Sequence, residues 1–461
     1  MSQLADVLTH LDADFDASVE RLFALLRCQS ISTDPAFANE CNRAAEMLSS
    51  DLAGIGFDSR VAQTPGHPIV VAHHDGPGPH VLFYGHYDVQ PVDPIELWDS
   101  DPFDPQIITR DDGSTIMVGR GTGDDKGQLM TFVEACRALK AVTGALPCKV
   151  TILLEGEEES GGKSLPPFLA EHAAELHGDI AIVCDTCMWD RETPAITTML
   201  RGMLGQEVTV HAATRDLHSG FFGGAAANPI HILSAALAGL HDDGGRVTIP
   251  GFYDGVPEIP AEMQEQWSSL EFSDQDFLGG VGLAQPAGER GYDSMYQTWA
   301  RPTAEVNGIW GGYTGTGFKT VIPAKAEAKI SFRLVGDQNP LAIREAFKKQ
   351  IRAAIPADCR VEFTDHGASR ATVMPITVPA FETARHALSE EWGKEAAFIG
   401  CGGSIPVVGE LKRQLDMDTL LIGFGQEDDA IHSPNEKYEM TSFRKGARSF
   451  VRVLIALGKA G

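Results

Sequence analysis

The chain has 461 residues, 43% of them hydrophobic and 22% charged, which is the balance of a folded globular protein too long for one typical domain. Its 64 acidic against 37 basic residues leave a formal charge of -27, and no basic patch offsets it, so phosphate backbones and anionic membrane surfaces are excluded as partners. No segment approaches the roughly 18 consecutive apolar residues of a membrane span. The first twenty residues carry acids and no basic residue, unlike a secretory leader, and the eight cysteines read as reduced thiols. A cytoplasmic protein is expected.

Apolar residues at helical spacing predict helices over 19–26 and 44–52, the second closed by Gly54 and Gly56. The wholly apolar run 81–84 predicts a strand buried on both faces, and a helix is expected over 129–141. Further apolar runs at 150–154 and 180–184 continue the alternation of strand and helix, which points to an α/β fold with a mostly parallel sheet flanked by helices. From about Gln206 the strands alternate instead, at 207–211 and 326–333, as half-exposed antiparallel strands do. Helices at 229–240 and 340–354 and a strand at 359–363 complete an inserted, smaller α+β domain. Residues 242–305, rich in Gly, Pro and acids, read as an irregular excursion of it. The α/β texture returns after 377 with a helix near 381–388 and an apolar run at 419–423. The expected domains are 1–205 plus 378–461, and 206–377.

Four apolar strands are followed by groups able to bind a metal. The first leads to His86 and Asp88, the second to Glu155, Glu157, Glu158 and Glu159, the third to Asp185, and the fourth, after a short loop, to His432. In open α/β sheets ligands bind outside the carboxyl ends of the strands, so these groups converge on one edge. The glycine-rich run Gly119-Arg120-Gly121-Thr122-Gly123-Asp124-Asp125-Lys126-Gly127 belongs on the same edge. It lacks the Gly-Lys-Ser/Thr ending of a phosphate loop. Two imidazoles with several carboxylates suit zinc, and their number suits a pair of ions sharing one carboxylate. A further carboxylate is then wanted to carry a proton between water and leaving group. Taken singly each piece has a bland reading: a strand-end turn, a solvated acidic loop, structural thiols at Cys184 and Cys187, a surface histidine at His218. Their common position is what argues for a site.

The segments Tyr84-Gly85-His86-Tyr87-Asp88-Val89-Gln90-Pro91, Gly119 to Gly127, Glu155-Gly156-Glu157-Glu158-Glu159-Ser160-Gly161 and Ile431-His432-Ser433-Pro434-Asn435-Glu436 resemble those of the co-catalytic zinc metallopeptidases of the carnosinase, aminoacylase and carboxypeptidase G2 superfamily. The resemblance implies two Zn2+ per subunit, with Mn2+ or Co2+ as substitutes. His86 and Asp185 would hold one ion, Glu159 and His432 the other, with Asp124 bridging. It makes Glu158 the general base, although Glu157 is chemically a rival, and has Asp88 orient His86 and Asp125 shape the loop. Asp216-Leu217-His218-Ser219-Gly220 resembles a segment whose histidine polarises the scissile carbonyl in a partner subunit, which implies a homodimer built by the inserted lid domain. Thr320, Arg333 and Ser404 resemble residues that bind a substrate carboxylate, a task suited to an arginine fork. Cys401 departs from the pattern, which has an acid there. The implied function is hydrolysis of the amide bond of a dipeptide or similar small substrate with a free carboxylate. An N-acyl amino acid deacylase, acting on acetylornithine or succinyl-diaminopimelate, is the alternative, and a non-catalytic metal- or peptide-binding protein is the third reading.

Overall fold

The computed structural model describes residues 3–460. Two compact units form, one from Met1–Thr198, Met374–Ile399 and Val407–Gly461, the other from Met199–Val373 with Gly400–Pro406. The sequence places one uninterrupted return after 377, whereas the structure hands 400–406 to the second unit. The cause is local. The Arg201 N–H donates to Gly403 O at 3.1 Å, its Nε donates to Gly402 O at 3.0 Å, and Ser404 Oγ donates back to Arg201 O.

The first unit is built on a nine-stranded sheet. Its centre is a parallel block in the order Cys148–Glu155, Gly78–His86, Ile180–Val183 and Thr419–Leu421. These are the wholly apolar runs, and every residue from Val81 to His86 is buried, as a strand covered on both faces requires. Antiparallel strands extend the block, Asp58–Ala62 and Ile69–His74 at one side and Ala195–Leu200 at the other. Helices Lys126–Thr143 and Met440–Ala460 pack together on the sheet. There Phe132 stacks on Phe83 with ring centroids 3.9 Å apart, and Phe450 meets both edge-on at 5.3 and 6.2 Å. Gly144, at a φ of 77°, ends the Lys126–Thr143 helix in the left-handed conformation that glycine adopts without a steric cost.

The second unit carries a four-stranded antiparallel sheet in the order Thr303–Gly311, Lys325–Leu334, Gly202–His211 and Arg360–Ser369. Burial alternates along its central strands, so Leu204, Val208, Ile330 and Phe332 face helices Pro229–Ala238 and Pro340–Ala354 over a core that includes Phe347. Residues 242–305 are less irregular than their composition predicts. They contain helices Ala261–Ser268, Asp274–Gly279 and Ser294–Trp299 and the start of an edge strand. These helices are too short for a periodic signal, and tertiary packing holds them: the buried Trp267 ring meets Tyr296 and Trp299 edge-on at 5.1 and 5.2 Å. Among the described residues no helix is long and apolar enough to cross a membrane.

Candidate active site

Strand register explains why distant residues meet. His86 lies directly opposite Glu155 in the parallel pair, while Tyr84 and Leu421 both lie opposite Val183. Two residues beyond that level, His86 and Asp185 stand side by side at the carboxyl edge. Gly423 lets the Asp185 loop approach its neighbour, because a Cβ there would fall 1.9 Å from the Thr186 carbonyl oxygen. Gly127 does the same for the glycine-rich loop, where a Cβ would lie 1.9 Å from Thr122 O.

That loop delivers Asp124 between two imidazoles. His86 Nε2 lies 3.0 Å from Asp124 Oδ1, and His432 Nε2 lies 2.9 Å from Asp124 Oδ2 and 3.3 Å from Glu159 Oε1. Two ligand groups result, His86 with Asp124 and Asp185, and Asp124 with Glu159 and His432, each with its ligand atoms within 4.8 Å of one another. Asp124 belongs to both. His432 reaches it from a loop in which Ala430, His432 and Asn435 all have φ between 54° and 61°. Such conformations are costly for residues with a Cβ, so the surrounding contacts must hold them. Asn435 supplies two, accepting from Asp99 N at 2.8 Å and donating to Leu97 O at 3.1 Å.

The glutamate run separates by direction. Glu157 turns away to accept from His67 N and Ser164 N at 3.2 and 3.0 Å. Glu159 faces His432 and accepts from Gln90 Nε2 at 2.7 Å. Asp88 does more than the sequence reading gives it. Its main-chain carbonyl, 3.2 Å from His86 Nδ1, makes the closer contact with that ring, and its carboxylate accepts from Ser32 Oγ, Glu158 N and Glu159 N. It therefore sets the glutamate turn as well as the histidine. Asp125 Oδ2 accepts from His86 N at 3.1 Å. Cys184 is buried, and its thiol lies against Gln128 O at 3.5 Å.

The electrostatics of this edge fit a bound dication. Burial opposes charge on His86, yet its hydrogen bonds to Asp124 and Asp88 hold its proton well above the usual histidine range. Hydrogen bonds to Asp124 and Glu159 raise His432 to about 10. Burial would push Asp124 up, but its two imidazole partners hold the carboxyl below the ordinary range. Burial, then the nearby Asp124 charge, push Asp185 well up. Burial also raises Glu158 to about 7, with Glu159, Asp88 and Asp124 adding to it against the pull of His86. Several carboxylates around two imidazoles are donors that could hold a divalent metal ion.

The second unit holds the remaining sequence candidates. Leu217–His218 pairs with Val321–Ile322, and Ser219 N donates to Thr320 O at 3.0 Å, so His218 and Thr320 are neighbours. His218 Nδ1 accepts from Gly220 N at 2.9 Å, which in the neutral ring leaves the proton on Nε2. Arg333 Nη1 donates to Ser404 Oγ at 3.2 Å.

One residue of the fourth motif carries a task its sequence position does not reveal. Glu436 is fully buried and accepts from Gly121 N, Gly123 N and Asp124 N at 2.9, 2.8 and 3.0 Å, while Arg120 Nη1 donates to it at 2.8 Å. The carboxylate thus ties down the backbone that presents Asp124. Lys126, also buried, anchors the far side of the loop by donating to Cys28 O and Leu25 O, carbonyls at the end of helix Phe15–Leu26.

Glu436→Gln leaves the Arg120 charge buried without its carboxylate, an effect that costs about 3–5 kcal/mol in comparable sites. A fall in the denaturation midpoint together with loss of bound metal is expected; an unchanged midpoint would show that the clamp is dispensable. The protons on His86 and His432 must leave before either ring can ligate an ion. Metal uptake at neutral pH is therefore expected to release protons, with apparent affinity climbing as pH rises toward about 10, where His432 loses its proton unaided. Titration calorimetry in buffers of different ionisation enthalpy reads this directly, and a buffer-independent heat would contradict it.

Residues 82–456 match the signature of peptidase family M20/M25/M40. The Cys-Gly metallodipeptidase of Candida albicans is 29% identical over 482 residues, spanning 100% of this chain and 98% of the relative. The Beta-Ala-His dipeptidase of Homo sapiens is 26% identical, over 99% of this chain and 93% of the relative. Among solved structures, the di-peptidase Dug1p from Saccharomyces cerevisiae is similar with a TM-score of 0.81 at 27% identity, covering 100% of this chain and 99% of that one. The M20 metallo-carboxypeptidase Sso-CP2 from Sulfolobus solfataricus gives a TM-score of 0.82 at 28% identity, covering 96% and 99%. The family signature runs through the strand ends, the glycine-rich loop and the His432 loop described above, and the chain belongs to peptidase family M20/M25/M40 as a hydrolase.

Proposed function

We propose that this protein is a dipeptidase that hydrolyses the peptide bond of small substrates with a free carboxylate, using two zinc ions, which manganese or cobalt can replace. The observation that carries the reading is the position of Asp124, whose two carboxylate oxygens each face a different histidine. His86 and Asp185 would hold one ion, Glu159 and His432 the other, with Asp124 shared between them. When bound, such a pair supplies hydroxide at neutral pH and Lewis-acid polarisation of the scissile carbonyl.

The chain's own residues supply the rest. Glu158 takes the proton of the attacking water and returns it to the leaving amine, a role suited by a carboxyl raised to about 7. His218, with its proton on Nε2, donates to the carbonyl oxygen as charge develops there. Thr320, Arg333 and Ser404 hold the substrate's carboxylate end. We infer a homodimer formed through the second unit, in which His218 serves the partner's site. Val306, Ile309 and Trp310, exposed on the edge strand Thr303–Gly311, support such a contact. The buried cysteines Cys28, Cys41, Cys136, Cys148 and Cys184, none of them in a disulfide, support a reducing compartment, which we take to be the cytoplasm. The relatives named as dipeptidases favour dipeptides over acylated amino acids.

A panel of free dipeptides and N-acylated amino acids tests the substrate class. Release of amino acids from the dipeptides is expected, and cleavage confined to the acylated half would make the protein a deacylase. Glu158→Ala is expected to lower kcat by a factor of 100 or more, on the order of the usual contribution of general base catalysis, while metal content stays intact. Retained turnover in that variant would remove Glu158 from the mechanism.

A further inference from the structure

Arg201 presents an unexplained charge. Its guanidinium is largely withdrawn from solvent, and the acceptors it meets are main-chain carbonyls: Gly402 O at 3.0 Å from Nε and Gln297 O at 3.3 Å from Nη1. Among the described residues no carboxylate forms an ion pair with Arg201 or with Arg333. In a chain of formal charge -27, two neighbouring arginines without an acid stand out.

Ser404 joins them. Its hydroxyl donates to Arg201 O and accepts from Arg333 Nη1 at 3.2 Å. The turn that carries it begins at Cys401, whose sulfur accepts from Gly403 N at 3.3 Å. The two cations feel each other: burial, and then the charge of Arg333, draw Arg201 down to about 10. The Cys401 sulfur and then Glu305 act the other way, and Glu305 lies exposed on the neighbouring strand without an ion pair to either arginine. Two half-buried guanidiniums that both donate to the Gly402–Ser404 turn are a site for an anion with more than one negative group.

We propose that Arg201 joins Arg333 and Ser404 in one subsite and that this subsite selects dipeptides whose C-terminal residue carries a side-chain carboxylate in addition to the terminal one. The inference rests on the dipeptidase reading above and narrows it. The terminal carboxylate compensates Arg333. A neutral C-terminal side chain leaves the Arg201 charge uncompensated in a desolvated place, whereas Asp or Glu supplies the missing partner.

The test compares kcat/KM for Gly-Glu with Gly-Gln and for Gly-Asp with Gly-Asn, pairs alike in shape and different in charge. The metal-loaded enzyme is expected to favour the acidic member by about tenfold, the scale of one charge-assisted hydrogen bond, with the difference residing in KM and shrinking as salt is raised. Arg201→Met should bring both ratios to about one, and Arg201→Lys should keep a preference. The salt dependence needs no variant, so the proposal remains exposed even if Arg201→Met fails to fold. Equal rates on acid and amide in the native enzyme would overturn it while leaving the dipeptidase reading standing. Hydrolysis of none of the four would overturn both.

Discussion

The buried pair between Glu436 and Arg120 fixes the one loop on which the metal-binding edge depends. A carboxylate sealed from water is costly, and burial raises Glu436 to about 7 despite its arginine partner. What offsets that cost is the number of bonds the group accepts, three from the backbone N–H groups of Gly121, Gly123 and Asp124 and one from the guanidinium. The result is a loop whose backbone has no freedom to move Asp124 away from the two imidazoles. A surface loop of the same composition, with the four glycines from Gly119 to Gly127 left unrestrained, would not hold a carboxylate in register with two other chain segments. An apolar pair in its place would leave the N–H groups of Gly121, Gly123 and Asp124 without their acceptor.

The second constraint is the parallel sheet. Parallel strands that share register end at the same level, so groups placed just past those ends meet without any loop needing to be long. This is why His86, Asp185 and the glutamate turn form one cluster although they span a hundred residues of chain. Burial, and then the crowding of carboxylates that follows, raise the Asp185 and Glu158 carboxyls. Groups crowded in this way could hold a metal ion once the two imidazoles give up their protons.

Much of this was legible in the sequence, and the reasons are particular. Runs such as Val81 to Tyr84 are apolar without interruption, so they announce buried strands, and the polar groups at their ends announce the edge. The Asp58–Ala62 and Ile69–His74 hairpin was not read, because its strands are short, the loop between them holds Pro65 and Pro68, and His67, His73 and His74 interrupt the apolar pattern. The task of Glu436 was hidden for another reason: its partners lie more than 300 residues away in the chain, and a glutamate after a proline-containing turn looks like a solvated side chain. The exchange of 400–406 into the second unit depends on the hydrogen bonds of Arg201, again a contact between remote segments. Directions within the glutamate run follow from backbone geometry at Glu157 to Glu159, where residue identity is the same three times and says nothing.

The central claim is that Asp124 is shared by two metal positions. Metal analysis of the purified protein and of Asp124→Asn tests it most directly. The account predicts two ions per chain in the native protein and loss of both in the variant, since each position loses the same carboxylate. A single ion in the native chain, or a variant that retains one ion firmly, would contradict it.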